Sequence, residues 1–77
     1  MRKGDTLVGT VGDKYTDENH VAVVWDPNPR QYASTWFYRV GNRRGERGIH
    51  NIPTGMVPGA RVRVTKVSQS RYTFELL

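Results

Sequence analysis

The stretch HVAVVWDPNPRQYASTWFYRVG, residues 20–41, contains the two clearest strands of this 77-residue chain. Within His20–Asp26, valines and a tryptophan alternate with a second row that is also largely apolar, which predicts a central, well-buried strand. Pro27 and Pro29 end this strand, because proline offers no N–H group to a sheet ladder. After an irregular loop, the strand pattern resumes over Thr35–Val40. Two adjacent strands therefore form the centre of the predicted fold.

Three further segments read as strands. Thr6–Val11 contains Gly9, which indicates a bend or a bulge. Arg61–Lys66 alternates inward valines with outward arginines, and a hairpin turn at 68–70 leads to a last strand over 71–77. Ile49–Ile52 allows one more short strand or 3₁₀ turn.

Short strands at this spacing, with no helical apolar pattern over three turns, favour an SH3-like or OB-like barrel. An OB-fold usually also contains a helix, and five strands fit easily into 77 residues. We therefore predict an all-β fold, a small SH3-like barrel of about five strands that occupies residues 1–77 as a single domain.

Composition limits the function of so small a domain. The chain has no cysteine, which excludes disulfides and thiolate metal sites, and it has no apolar run typical of a signal peptide or membrane span. We expect a cytoplasmic protein that does not bind membranes. The formal net charge is +5, and residues 27–77 hold nine basic but only two acidic side chains. This surplus is typical of nucleic-acid-binding proteins, and also of proteins that are basic for solubility.

The sequence offers little for catalysis. Its only histidines are His20 and His50, and no serine lies in a Gly-x-Ser-x-Gly context. A triad built on His50 and Asp26 would need a pocket that small barrels rarely have. The acidic loop of residues 13–18 lacks the spacing of a calcium-binding EF-hand. We predict a protein that is not an enzyme and that has no metal site and no cofactor.

Arginines with aromatic neighbours are the strongest remaining signal. Arginine neutralises phosphates, and aromatic rings stack on bases. An alternative is that the large aromatic residues form the core and the arginines a solvated face; we assign Trp25, Tyr72 and Phe74 to the core and expect Tyr32 to be exposed. Phe37 is a further stacking candidate. The candidate nucleic-acid-binding residues are Arg39, Arg43, Arg44, Arg47, Arg61, Arg63, Arg71, Tyr32 and Trp36.

Two short motifs resemble a known family. Trp25-Asp26 at a strand end, followed after a loop by the motif Tyr-Arg-Val-Gly at 38–41, resembles the Mind-bomb-type SH3-like repeat domain of some eukaryotic ubiquitin ligases. The sequence Gly-Thr-Val at 9–11 suits the first strand of that family. The resemblance covers residues 4–52, with a longer loop at 27–35 and without the family's tryptophan-rich N-terminal segment. It implies an SH3-like barrel that binds peptides without catalysis.

Two binding functions stay open. The first is attachment to the backbone of DNA or RNA through the arginine-rich loop and hairpin face, with little reading of sequence. The second is a protein-interaction module that holds an acidic or extended peptide near Trp36, Tyr38 and the loop 27–34. A small basic protein of this kind is also typical of viral or mobile-element factors that act on a host protein. Charge favours the first function.

Overall fold

Short β-strands make up the regular structure of this protein. The computed structural model describes residues 1–26, 34–39, 47–51 and 53–77, so the predictions for Tyr32, Arg43 and Arg44 lie outside the described residues. The described residues form six strands: β1 (Thr6–Val11), β2 (His20–Trp25), β3 (Ser34–Tyr38), β4 (Gly48–Asn51), β5 (Arg61–Lys66) and β6 (Arg71–Leu76).

The strands close into one barrel in the order β1-β2-β3-β4-β6-β5. Neighbouring strands are antiparallel except around β4, which lies parallel to both β3 and β6. The prediction of a small all-β barrel is confirmed, and no helix occurs in the described part of the chain. The segment for which the sequence allows a short strand or a 3₁₀ turn forms β4. The described residues therefore contain six strands, whereas about five were predicted.

The core follows the two-residue period of the strands. Val21 and Val23 point inward from β2, and Val62 and Val64 do so from β5; all four are fully buried. At the centre lies Phe37, whose ring meets those of Trp25, Tyr72 and Phe74 edge-on at centroid distances of 5.0–6.2 Å. The core assignments of Trp25, Tyr72 and Phe74 are confirmed.

The expectation that Phe37 stacks on bases is wrong. Its side chain is 0% exposed, because β3 pairs with β2 in a register that turns Thr35 and Phe37 toward the interior. The indole N–H of Trp25 donates to Thr35 Oγ1 at 2.9 Å, which satisfies its one polar group inside the barrel. Ser34, Trp36 and Tyr38 consequently lie on the outer face of β3.

Gly9 of β1 packs closely against β2. It pairs with Trp25, and the register continues without interruption to the pair of Val11 with Val23, so of the bend or bulge predicted here, the bulge is absent. A Cβ atom at this position would lie 2.6 Å from Val23 Cγ1 and 2.6 Å from the carbonyl oxygen of Val24. Glycine is required here by close packing between two strands.

Substitution of Gly9 tests this constraint. We expect Gly9→Ala to lower the free energy of unfolding by about 1–3 kcal/mol, since the backbone of β2 must move to admit a methyl group. The matched control is Gly12→Ala, whose Cβ would meet Val24 Cγ2 at 3.4 Å, an ordinary contact. Urea denaturation of both variants measures the difference. Equal midpoints for the two variants would contradict the close-packing explanation.

Candidate functional site

An exposed cluster of aromatic rings covers part of the outer face of β2 and β3. The register places His20 opposite Tyr38 and Ala22 opposite Trp36. The His20 ring lies 5.1 Å from that of Trp36 and 4.9 Å from that of Tyr38, measured between centroids. Although Trp36 makes these contacts, it remains 45% exposed. With Tyr15, these three residues form what we call the aromatic surface.

Tyr15 reaches this surface from the β1–β2 loop, residues 12–19. Its ring stacks on Trp36 at a centroid distance of 6.2 Å and an interplanar angle of 27°, and it is 65% exposed. The backbone of Tyr15 has φ = 65°, in the left-handed region that bulky side chains rarely adopt. An exposed ring held at a conformational cost adds little to the stability of the barrel, and such costs are typical of functional sites.

Asp17 and Arg39 fix the end of this loop. Asp17 Oδ1 accepts hydrogen bonds from the backbone N–H groups of Asn19 and His20, each at 2.8 Å, and lies 3.0 Å from His20 Nδ1. These partners, the Asn19 N–H first, lower the pKa of Asp17 below its ordinary value of 3.8. Arg39 Nε donates to the carbonyl oxygen of Asp17 at 2.7 Å. Asp17 therefore caps the turn that leads into β2, and its carboxylate contacts the His20 ring.

Three of the predicted arginines lie around the aromatic surface. Arg39 follows β3 directly, and Arg47 Nε donates to the carbonyl oxygen of Trp36 at 3.0 Å. Arg71 begins β6 and is exposed; it pairs with Gly48, which in turn pairs with Tyr38. Within the described ranges, none of these three arginines forms an ion pair with a carboxylate.

Arg61 and Arg63 are in a different electrostatic state on the outer face of β5. Arg61 binds Asp26 through two hydrogen bonds, of 2.5 and 2.8 Å, and also donates to Thr10 Oγ1 at 3.1 Å. Arg63 forms an ion pair with Glu75, the residue opposite it on β6, as the strand pattern allows. A phosphate bound at either arginine would therefore compete with a carboxylate.

The structure thus groups Trp36 with Arg39, Arg47 and Arg71, whereas Arg61 and Arg63 form ion pairs on the outer face of β5. The sequence predictions missed Tyr15 and His20 as parts of the site. His20 could have been found from its parity with Ala22 and Val24 on β2. Tyr15 could not, because its position depends on the path of a loop.

Comparisons with known proteins provide no relative, since no protein family, no curated protein and no solved structure matches the chain. The resemblance to the Mind-bomb-type domain stays a prediction. In the described segments, no helix is long and apolar enough to cross a membrane. The same segments hold no group of three or more histidine, aspartate or glutamate side chains arranged to bind a metal ion.

The pair of Asp26 and Arg61 yields a test at acidic pH. Hydrogen bonds and charge from Arg61 lower the pKa of Asp26 below its ordinary value of 3.8. Because the pKa is lower in the folded state, the pair stabilises the fold above about pH 4, and this contribution is lost as the pH falls through the folded pKa. In an NMR titration, we expect the pKa of Asp26 to rise toward 3.8 in Arg61→Gln.

Asp17 is the internal control for this titration, since its hydrogen-bond donors are Asn19 and His20 and do not include Arg61. Its pKa should remain below 3.8 in both proteins. An unchanged pKa of Asp26 in Arg61→Gln would show that the ion pair does not persist in solution.

Proposed function

We propose that this protein binds single-stranded nucleic acid on the aromatic surface, with bases stacked on its rings and phosphates held by the arginines around it. The observation that carries the proposal is the exposure of Trp36 and Tyr15, which stack on each other outside the core. Large aromatic side chains in a domain this small normally stabilise its interior. Here two of them face solvent on a strand and a loop.

Stacking favours single strands over duplexes. In a duplex, neighbouring base pairs cover the faces of each base, whereas a single strand can turn its bases onto aromatic rings. Each such contact contributes roughly 1–3 kcal/mol and tolerates any base, because every base has a π-face. The rings of Trp36, His20 and Tyr38 have centroids 4.9–6.2 Å apart and planes tilted by 35–59° to one another. We call these three rings the platform, and we propose that it offers stacking positions to more than one base.

The arginines around the platform supply the complementary charge. Arg39 and Arg47 use Nε to bind backbone carbonyl oxygens, which orients the guanidinium groups without neutralising them. Arg71 adds a third basic group on the far side of β4. Gly48 of β4 lies between Arg71 and Tyr38 and has no side chain to separate them. The proposed phosphate contacts therefore keep Arg39, Arg47 and Arg71 from the sequence prediction and leave out Arg61 and Arg63 of the hairpin, which bind carboxylates.

The strand order supports the same function by analogy. If β4 is treated as an addition between β3 and β6, the order β1-β2-β3-β6-β5 matches the oligonucleotide-binding type of barrel. In such barrels the face of the second and third strands and the loop between the first two bind oligonucleotides or oligosaccharides. The aromatic surface lies on the corresponding strands and loop.

An extended peptide is the second candidate ligand. Exposed aromatic grooves bind proline-rich segments, and the β1–β2 loop beside the platform carries Asp13 and Glu18, which would attract a basic peptide. The surplus of arginine around Trp36 favours nucleic acid over this alternative. Nucleic acid and peptide are therefore compared in one binding experiment.

Fluorescence anisotropy with labelled ligands tests the proposal. We expect a ten-nucleotide single strand of DNA or RNA to bind more tightly than a ten-base-pair duplex. Affinity should fall with salt, at a slope of about −0.7 per phosphate contact on the single strand. Tighter binding of the duplex, or binding only of a proline-rich peptide, would contradict the proposal.

Two charge-matched variants locate the phosphate contacts. Arg47→Gln and Arg63→Gln each remove one positive charge, but only Arg47 borders the platform, and Arg63 already binds Glu75. We expect Arg47→Gln to weaken binding and to reduce the salt slope, while Arg63→Gln changes neither. The same loss in both variants would show that binding responds to net charge alone.

Removal of single rings tests the stacking. We expect Trp36→Ala to weaken single-strand binding about 5- to 150-fold, the equivalent of ~1–3 kcal/mol. Tyr15→Asn should also weaken binding without loss of stability, because asparagine accepts the left-handed backbone of this position. Val57→Ala, at an exposed apolar residue outside the platform, is the control and should bind normally. Unchanged affinity in both ring variants would exclude the platform.

A further inference from the structure

A recess adjoins the aromatic surface on the side that faces β1. Its volume is about 630 Å³, within the range of roughly 300–1,000 Å³ found for ligand pockets. The end of β1, the β1–β2 loop and the outer side of β2 form its walls. Tyr15 lines the recess and also stacks on Trp36, so the recess and the aromatic surface share this ring.

The walls of the recess are mainly apolar. Val24 points outward from β2 and is 45% exposed, and Gly12 contributes only backbone, which leaves the space in front of Val24 open. The hydroxyl-bearing residues Thr10 and Ser34 supply a few polar groups. Apolar walls with few hydrogen-bonding groups suit the face and edge of a nucleobase, and they do not suit a phosphate group.

Charged residues line the loop side of the recess. Lys14 lines it from the β1–β2 loop, and among the described residues its ammonium group forms no ion pair. Asp13, the neighbouring residue, also lines the recess and carries the opposite charge. Substitution of these two side chains therefore tests the charge of the ligand, since a phosphate backbone is attracted by Lys14 and repelled by Asp13.

We infer that the recess binds one nucleobase of the strand that lies on the aromatic surface, turned out of the row of stacked bases. This inference rests on the proposed function. It predicts a site with two parts: a platform at Trp36 for stacked bases, and a recess at Gly12 and Val24 for a single inserted base. Only an unpaired base can enter, which adds to the preference for single strands.

Gly12 allows the recess to be filled while the platform remains intact. Its Cβ would meet only ordinary contacts, the nearest being Val24 Cγ2 at 3.4 Å, and its backbone does not require glycine. Gly12→Leu therefore projects a side chain into the recess, and Gly12→Ala is the matched control with one methyl group. Val24→Glu is a second blocking variant, since it changes an exposed side chain that lines the recess beside Gly12.

The decisive measurement is an abasic scan along an eight-nucleotide single strand, in which one base at a time is removed while the phosphates stay. With the natural protein and Gly12→Ala, we expect losses of about 5- to 150-fold at several positions. With Gly12→Leu and Val24→Glu, the loss should disappear at one position only. Trp36→Ala should abolish the loss at a different position. Thermal denaturation of each variant checks that it is folded.

The outcomes separate this inference from the proposed function. If the natural protein binds the strand and the abasic profile of Gly12→Leu equals that of Gly12→Ala, the recess holds no base and only the further inference fails. If no single strand binds the natural protein, both proposals fail. Asp13→Asn should strengthen strand binding and Lys14→Gln should weaken it. The reverse order, as for a basic peptide, would also overturn the inference.

Discussion

The burial of Phe37 determines which residues of this protein meet solvent at the candidate site. Its ring is fully buried and packs edge-on against three other aromatic rings at the centre of the barrel. Since side chains alternate along a strand, the inward position of Phe37 obliges Trp36 and Tyr38 to point outward. One packing requirement thus produces both the core and the exposed platform.

The described arginines differ in whether a carboxylate compensates their charge, because their surroundings differ. On β5 and β6, antiparallel pairing brings Arg63 opposite Glu75, and the end of β2 brings Asp26 to Arg61, so these charges are locally compensated. Around β3, the arginines donate to backbone carbonyl oxygens, which are dipoles rather than charges. Among the described arginines in the second part of the chain, those without a carboxylate partner therefore lie around the aromatic surface.

The β1–β2 loop connects the barrel to the candidate site. Asp17 caps it with two backbone hydrogen bonds, and Arg39 binds the same corner from the end of β3. Tyr15 lies two residues before this cap, in a backbone conformation that tyrosine rarely adopts, and its ring stacks on Trp36. A rigid loop end that presents an exposed ring costs less entropy on binding than a ring that must first be ordered.

The sequence by itself determined the elements of the fold, because a two-residue apolar period and proline or glycine at the strand ends are local properties. It identified the strands, the buried valines of β2 and β5, and Trp36 as a binding candidate. It could not separate the roles of Trp36 and Phe37, since strand parity shows that two neighbours face opposite ways without showing which way is inward. Only the tertiary structure decided which of these two residues faces inward. It also decided the ion pairs of Arg61 and Arg63 and the position of Tyr15. Each of these depends on strand register or a loop path, which bring together residues far apart in the chain.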